Sequence, residues 1–194
     1  ISITACAVSI SILAVAQPPQ PGVLAQERHL TNIRQLTHGG ENAEAYFSPD
    51  GSRLVFQSTR EGVPCDQIFT MRLDGTDERR VSTGTGRTTC GYFYPGGDDI
   101  VFASTHEASA ACPPKPSFSR GYVWPIYDSY EIYRMKADGS GIRKLTNSPG
   151  YDAEATIAPD GLITFTSVRD GDMEIYTMMG DGSDVRRLTN RPGP

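Results

Sequence analysis

From Arg34 onward the sequence repeats one pattern three times, and a pattern recurring at a near-fixed spacing predicts a fold that stacks copies of one unit. The first copy opens at Leu36-Thr37 and runs through AEAYFSPDG (43–51), LVFQSTR (54–60) and QIFTMRLDG (67–75). The second opens at Val81-Ser82 and gives CGYFYPGGD (90–98), IVFASTH (100–106) and EIYRMKADG (131–139). The third opens at Leu145-Thr146 and gives AEATIAPDG (153–161), LITFTSVR (162–169) and EIYTMMGDG (174–182), before Leu188-Thr189 starts a fourth opening. The openings lie 45, 64 and 43 residues apart, and the middle interval is long because residues 107–128 are inserted in it.

Such a period holds four strands and their turns, the content of one propeller blade. Pro49-Asp50-Gly51, Pro95-Gly96-Gly97 and Pro159-Asp160-Gly161 predict a tight turn after the inner strand, because Pro presets φ and Gly accepts positive φ. The next two segments carry the branched and aromatic residues that strands favour. Asp74-Gly75, Asp138-Gly139 and Asp181-Gly182 then predict a second hairpin, leading to a charged outer strand RRVS, RKLT or RRLT. The 20 glycines and 14 prolines fit many short strands and disfavour long helices.

The ordered set A-P-D-G or S-P-D-G, S-x-R, [DE]-I-Y, D-G-S and R-L-T, spread over residues 31–193, resembles the TolB-like β-propeller repeat family. The resemblance implies an all-β fold with blades at about 43–82, 88–146 (insertion 107–128) and 152–189, residues 31–37 closing a blade missing from this chain. A ring typically takes about four to eight blades, so about three predict a propeller fragment truncated before closure. In function it implies a non-catalytic scaffold for protein or peptide binding, as in the TolB propeller. TolB proteins carry an α/β domain ahead of the propeller, whereas here only residues 17–30 stand between the apolar start and the first repeat. The alternative is the substrate-filtering propeller of a prolyl-oligopeptidase-like or tricorn-like peptidase, whose catalytic domain is absent from this fragment.

Residues 1–16, ISITACAVSISILAVA, are uncharged, too short for a comfortable span of ~20 residues, and end in the small-x-small pattern Ala14-Val15-Ala16. They predict a signal-peptide remnant cleaved after Ala16, residues 17–30 forming a linker, and hence a periplasmic or secreted protein. Ile3-Thr4-Ala5-Cys6 also resembles a lipobox, which would anchor lipid on Cys6; the continued apolar sequence after the Cys argues against it. With 18 basic against 23 acidic residues, net charge −5, nucleic acid is not an expected partner.

The repeats place Glu44, Cys90 and Glu154 at equivalent inner-strand positions, and Arg60, His106 and Arg169 at equivalent ends of the second strand. All fall on one face by the strand alternation. Acidic and basic groups near a channel mouth suit a charged ligand or a peptide terminus; the plainer expectation is that each Glu pairs with an Arg between blades. The insertion lies on the same face and brings Phe118, Tyr122, Trp124 and Tyr127, which either cap a core or contact a ligand or partner. Cys65, Cys90 and Cys112 also face that way, and in an oxidising compartment two of them are expected to pair, with all three pairs open: Cys90 with Cys112, for example, would pin the insertion, and Cys65 with Cys90 would join two blades. No cofactor or metal is expected. Zinc spacing and the calcium-loop pattern are missing, Asp170, Asp172 and Glu174 read as a solvated turn, and His29, His38 and His106 are scattered singly without a nucleophile motif.

Overall fold

The protein is described by a computed structural model covering residues 29–60 and 62–191. The expected signal remnant 1–16, Cys6 and most of the linker lie outside these residues. Residues 29–35 belong to a separate unit and carry neither helix nor strand; the unit beginning at Leu36 holds all the strands described below. The strand expected at 31–37 does not form here. Among the described residues there is no helix, and so none long and apolar enough to cross a membrane.

Among the described residues, twelve strands form three four-stranded sheets, each a sequential antiparallel meander on one copy of the repeat. The first sheet comprises β1 (Glu41–Phe47), β2 (Arg53–Arg60), β3 (Val63–Arg72) and β4 (Arg79–Arg80). The second comprises β5 (Thr88–Phe93), β6 (Asp99–Ser104), β7 (Glu131–Lys136) and β8 (Arg143–Lys144). The third comprises β9 (Asp152–Ile157), β10 (Ile163–Ser167), β11 (Glu174–Met178) and β12 (Arg186–Arg187). This is the expected all-β architecture of three blades, and the sheets do not close into a ring.

Alternation along the strands supplies both faces of the middle blade. Ile100 and Phe102 pack with Val55, Ile68 and Val81 of the first blade. Val101 and Ile132, pointing the other way, pack with Ala155, Ile163 and Phe165 of the third. β6 is consequently buried at every position, while β1 is exposed at nearly all of its own.

The repeated turn residues make the same bonds in each copy. Gly51, Gly97 and Gly161 donate to the carbonyls of Ser48, Tyr94 and Ala158, closing the first hairpin at 2.8 to 2.9 Å. In the second hairpin Asp74, Asp138 and Asp181 each accept the N–H two residues on, at 2.9 Å. The outer strand is shorter than expected, two residues instead of four. Its Ser or Thr takes over the ladder: Ser82, Thr146 and Thr189 accept from the N–H of Ile68, Ile132 and Ile175 through their side-chain oxygens. Ser82 and Thr146 donate onward to Gln67 and Glu131, the residues just before Ile68 and Ile132. The R-L-T and E-I-Y motifs are therefore two halves of one contact.

The Asp-Gly turn also locks each blade to the preceding outer strand. A Cβ on Gly139 would come within 2.5 Å of the Val81 carbonyl oxygen, and one on Gly182 within 2.7 Å of that of Leu145. Gly161, by contrast, has φ +89 but nothing within 4 Å. Gly161→Ala is expected to cost about 1 kcal/mol from the positive φ alone, and Gly139→Ala clearly more because the clash adds to it. Urea unfolding midpoints of the two variants check the difference.

Candidate functional site

Each inner strand loses register at the same place: between Ala43 and Tyr46, between Thr89 and Tyr92, and opposite the step from Thr164 to Thr166. The residues at the break, Glu44, Cys90 and Glu154, have φ of +50°, +55° and +56°, uncommon for any residue but glycine. A bulge of this kind re-aims its side chain. Three blades thereby send three side chains to one point, with their carboxylate oxygens and sulfur all within 4.8 Å of one another.

The Cys90 thiol donates to Glu154 Oε2 at 3.3 Å, and the Tyr151 hydroxyl donates to Glu154 Oε1 at 2.9 Å. Burial pushes the Glu44 carboxyl above the usual range; the Cys90 thiol opposes this, and repulsion from Glu154 and Asp66 reinforces it. Burial, then the two glutamates, pushes the Cys90 thiol far up as well. At neutral pH Cys90 is thus a protonated donor and not a nucleophile. A metal would find only three donors here, one of them a thiol that resists losing its proton.

Arg60, His106 and Arg169 do not join this cluster. Arg60 Nε and Arg169 Nε donate to Ser58 and Ser167, and His106 Nδ1 bonds Ser104, all two residues back. Arg60 lies over Phe56 and Phe69, Arg169 over Phe165 and Tyr176, and His106 against Tyr133, itself stacked on Phe102. The S-x-R motif is a lid on each blade's aromatic pair. The expected Glu–Arg pairing between blades is corrected accordingly: Arg60 pairs with Glu78 and Arg169 with Asp152, while no Lys or Arg among the described residues reaches Glu44 or Glu154 within ion-pair distance. Glu174, expected in a solvated turn, is buried against Arg187, and Asp170 accepts from the Tyr176 hydroxyl at 2.6 Å.

The insertion lies over Glu154 and lines a half-open cavity of about 510 Å³. Phe118, Tyr122, Trp124 and Tyr127 from the insertion form its roof. Below them, Gln57, Thr89, Tyr151 and Glu154 come from the blades, with Asp66, Arg87 and Tyr130 at the ends of neighbouring strands. Phe118, Tyr122 and Trp124 are each more than half exposed. Tyr127, Tyr130 and Tyr151 form a chain of rings with centroids 6.2 and 5.6 Å apart. A second cavity of about 510 Å³ lies at the insertion's stem, beside Thr105, Cys112, Pro113 and Tyr127.

Cys65 and Cys112 form a disulfide with Cα atoms 5.9 Å apart, and Cys90 is free and buried. Of the three pairs the sequence left open, this is the one that omits Cys90, which the bulge turns away from the other two and toward the glutamates. The bond ties the insertion to the start of β3, and Tyr127 donates to the Pro114 carbonyl at 2.6 Å across the base of the same loop. Asp66, Arg87, Tyr130 and Tyr151 escaped the sequence reading. Their signal was positional: each stands one to three residues from the start of a strand on the side where the inner-strand candidates had been placed.

No known protein-family profile matches the sequence. Solved structures do match. A putative TolB from Agrobacterium tumefaciens is similar with TM-score 0.60 and 24% identity, covering 79% of this chain and 51% of that one. TolB from Acinetobacter baumannii gives TM-score 0.61 at 22% identity, covering 79% of this chain and 34% of that one. A puromycin-hydrolysing peptidase from Mycobacterium tuberculosis gives 0.56 at 17% identity, over 79% and 24%. The chain thus has the fold of TolB-type propeller blades and spans about half, or less, of the length of these structures.

Two outcomes follow from the site's construction. Because the folded-state pKa of Glu44 is raised, the stability it contributes is fully present below 4.5, the unpaired value, and is lost as pH rises through the raised one. Relative to Glu44→Gln, the unmodified protein should lose stability over that rise, as read by urea midpoints across pH. Replacing Cys65 and Cys112 together by serine should cost about 2–4 kcal/mol and loosen the roof, the latter visible as increased quenching of Trp124 fluorescence by iodide.

Proposed function

We propose that this chain is the non-catalytic binding part of an exported protein and that the pocket beneath the insertion takes an extended peptide segment of a partner. The observation that carries this reading is the pocket's composition. Exposed aromatic rings form one wall, where they offer rigid contact area at low entropic cost, and a polar floor of Gln57, Asp66, Arg87, Thr89 and Glu154 can meet backbone groups. Export is supported by the Cys65–Cys112 disulfide, since such bonds persist in oxidising compartments, and by the uncharged run at residues 1–16. The likeness to TolB blades fits a scaffold that works through protein contacts.

The likeness to the puromycin-hydrolysing peptidase favours a second reading, a propeller that screens peptides for a catalytic domain elsewhere in a longer protein. Both readings use the same pocket. Peptide arrays probed with the full chain test it: a subset of sequences should be retained, and Tyr122→Ala with Trp124→Ala should abolish retention while leaving the urea midpoint within about 0.5 kcal/mol, as expected for exposed positions. Equal retention by the double variant would remove this pocket from consideration.

A further inference from the structure

Carboxylates buried in this fold are matched by cations. Asp99 meets Arg134 and Lys136, Glu131 meets Lys144, Asp152 meets Arg169, and Glu174 meets Arg187. Glu44 and Glu154 break the pattern: both are half-buried, their oxygens lie near each other across the Cys90 thiol, and no Lys or Arg among the described residues reaches them within ion-pair distance. Two carboxylates held together in partial desolvation repel each other and lack the counter-charge that would offset it.

Glu154 lines the aromatic pocket, and each of its two oxygens accepts one hydrogen bond, leaving lone pairs for another donor. Around it stand the rings of Tyr127, Tyr130 and Tyr151, with Trp124 on the roof. Aromatic faces carry negative electrostatic potential and attract an organic cation, most strongly when it is desolvated. Two cations line the pocket: Arg87, whose Nε lies 3.8 Å from Asp66, and the exposed Lys115 of the insertion; neither comes within ion-pair distance of Glu154. The cavity, about 510 Å³, admits a guanidinium or ammonium on its alkyl stem.

We propose that this pocket takes the cationic side chain of an arginine or lysine in the bound peptide, its stem against the aromatic roof and its charge at Glu154. The inference rests on the peptide-binding reading and gives that peptide its chemistry. A basic partner segment also suits a chain of net charge −5.

Trp124 is the one tryptophan in the sequence and reports on the pocket directly. The full chain is titrated, in EDTA, with a capped glycine/serine peptide carrying a single arginine, and with the same peptide carrying citrulline, which keeps the shape and loses the charge. The arginine peptide should saturate the Trp124 signal and bind at least tenfold more tightly. Glu154→Gln should remove most of that preference, weakening the arginine peptide far more than the citrulline one. Glu44→Gln, which removes the second unmatched carboxylate, should reduce it in the same direction. Equal affinity for the two peptides overturns the cation inference and leaves peptide binding standing. Should neither peptide bind while the array retains neutral sequences, the cation inference falls alone; should the array also retain nothing, both readings fall.

Discussion

Ile100 and Phe102 leave β6 toward one neighbouring blade while Val101 leaves toward the other, and the whole structure rests on that two-sided burial. A four-stranded meander is apolar on both faces and cannot keep both from water unaided. The middle blade succeeds because a blade stands on either side of it. The edge blades show the cost of lacking one, since Phe47 on β1 and Leu188 beyond β12 are each at least 60% exposed. Stability here belongs to interfaces between copies more than to any copy, and the Gly139 and Gly182 contacts fix how closely the copies approach.

Packing faces together also determines where chemistry is placed. Once the blades are docked, their inner strands converge, and a bulge in each at Glu44, Cys90 and Glu154 turns a side chain out of the ladder toward the same point. Regular alternation would have sent those side chains into a sheet face. The convergence therefore needs both the docking and the break in register, and the positive φ at all three is the local strain that the surrounding sheet holds in place.

The fold was legible because its information is periodic. Turn glycines, Asp-Gly hairpins and the aromatic pairs recur at fixed offsets, and each recurrence constrains the others. The site was legible only in part. Counting along the repeat identified Glu44, Cys90 and Glu154 as equivalent, but the same counting placed Arg60, His106 and Arg169 beside them, when they instead cover the aromatic pairs of their own blades. Offset along a strand gives the end of the sheet and says little about which face a long side chain folds over. That two of three cysteines pair was legible, and which two was not, for a related reason: whether Cys90 faces Cys65 or the glutamates turns on one bulge, and the sequence does not reveal where a strand loses register.

Comparing the copies with one another separates frame from function. Ser58, Ser104 and Ser167 are identical and make the same bond, as do Asp74, Asp138 and Asp181; these positions maintain the blade. Asp66, Tyr130 and Met173 occupy one equivalent position and share no chemistry, and the same is true of Gln57, Ala103 and Thr166. Asp66, Gln57 and Tyr130 line the pocket, and the insertion that roofs it occurs in one copy alone. A position needed for stacking must satisfy the same neighbours in every blade, so the copies agree there. A position facing an asymmetric occupant meets a different part of it from each blade, so the copies must differ. The divergence reaches the cavity at Gln57, Asp66 and Tyr130, while their counterparts Ala103, Thr166 and Met173 stand outside it.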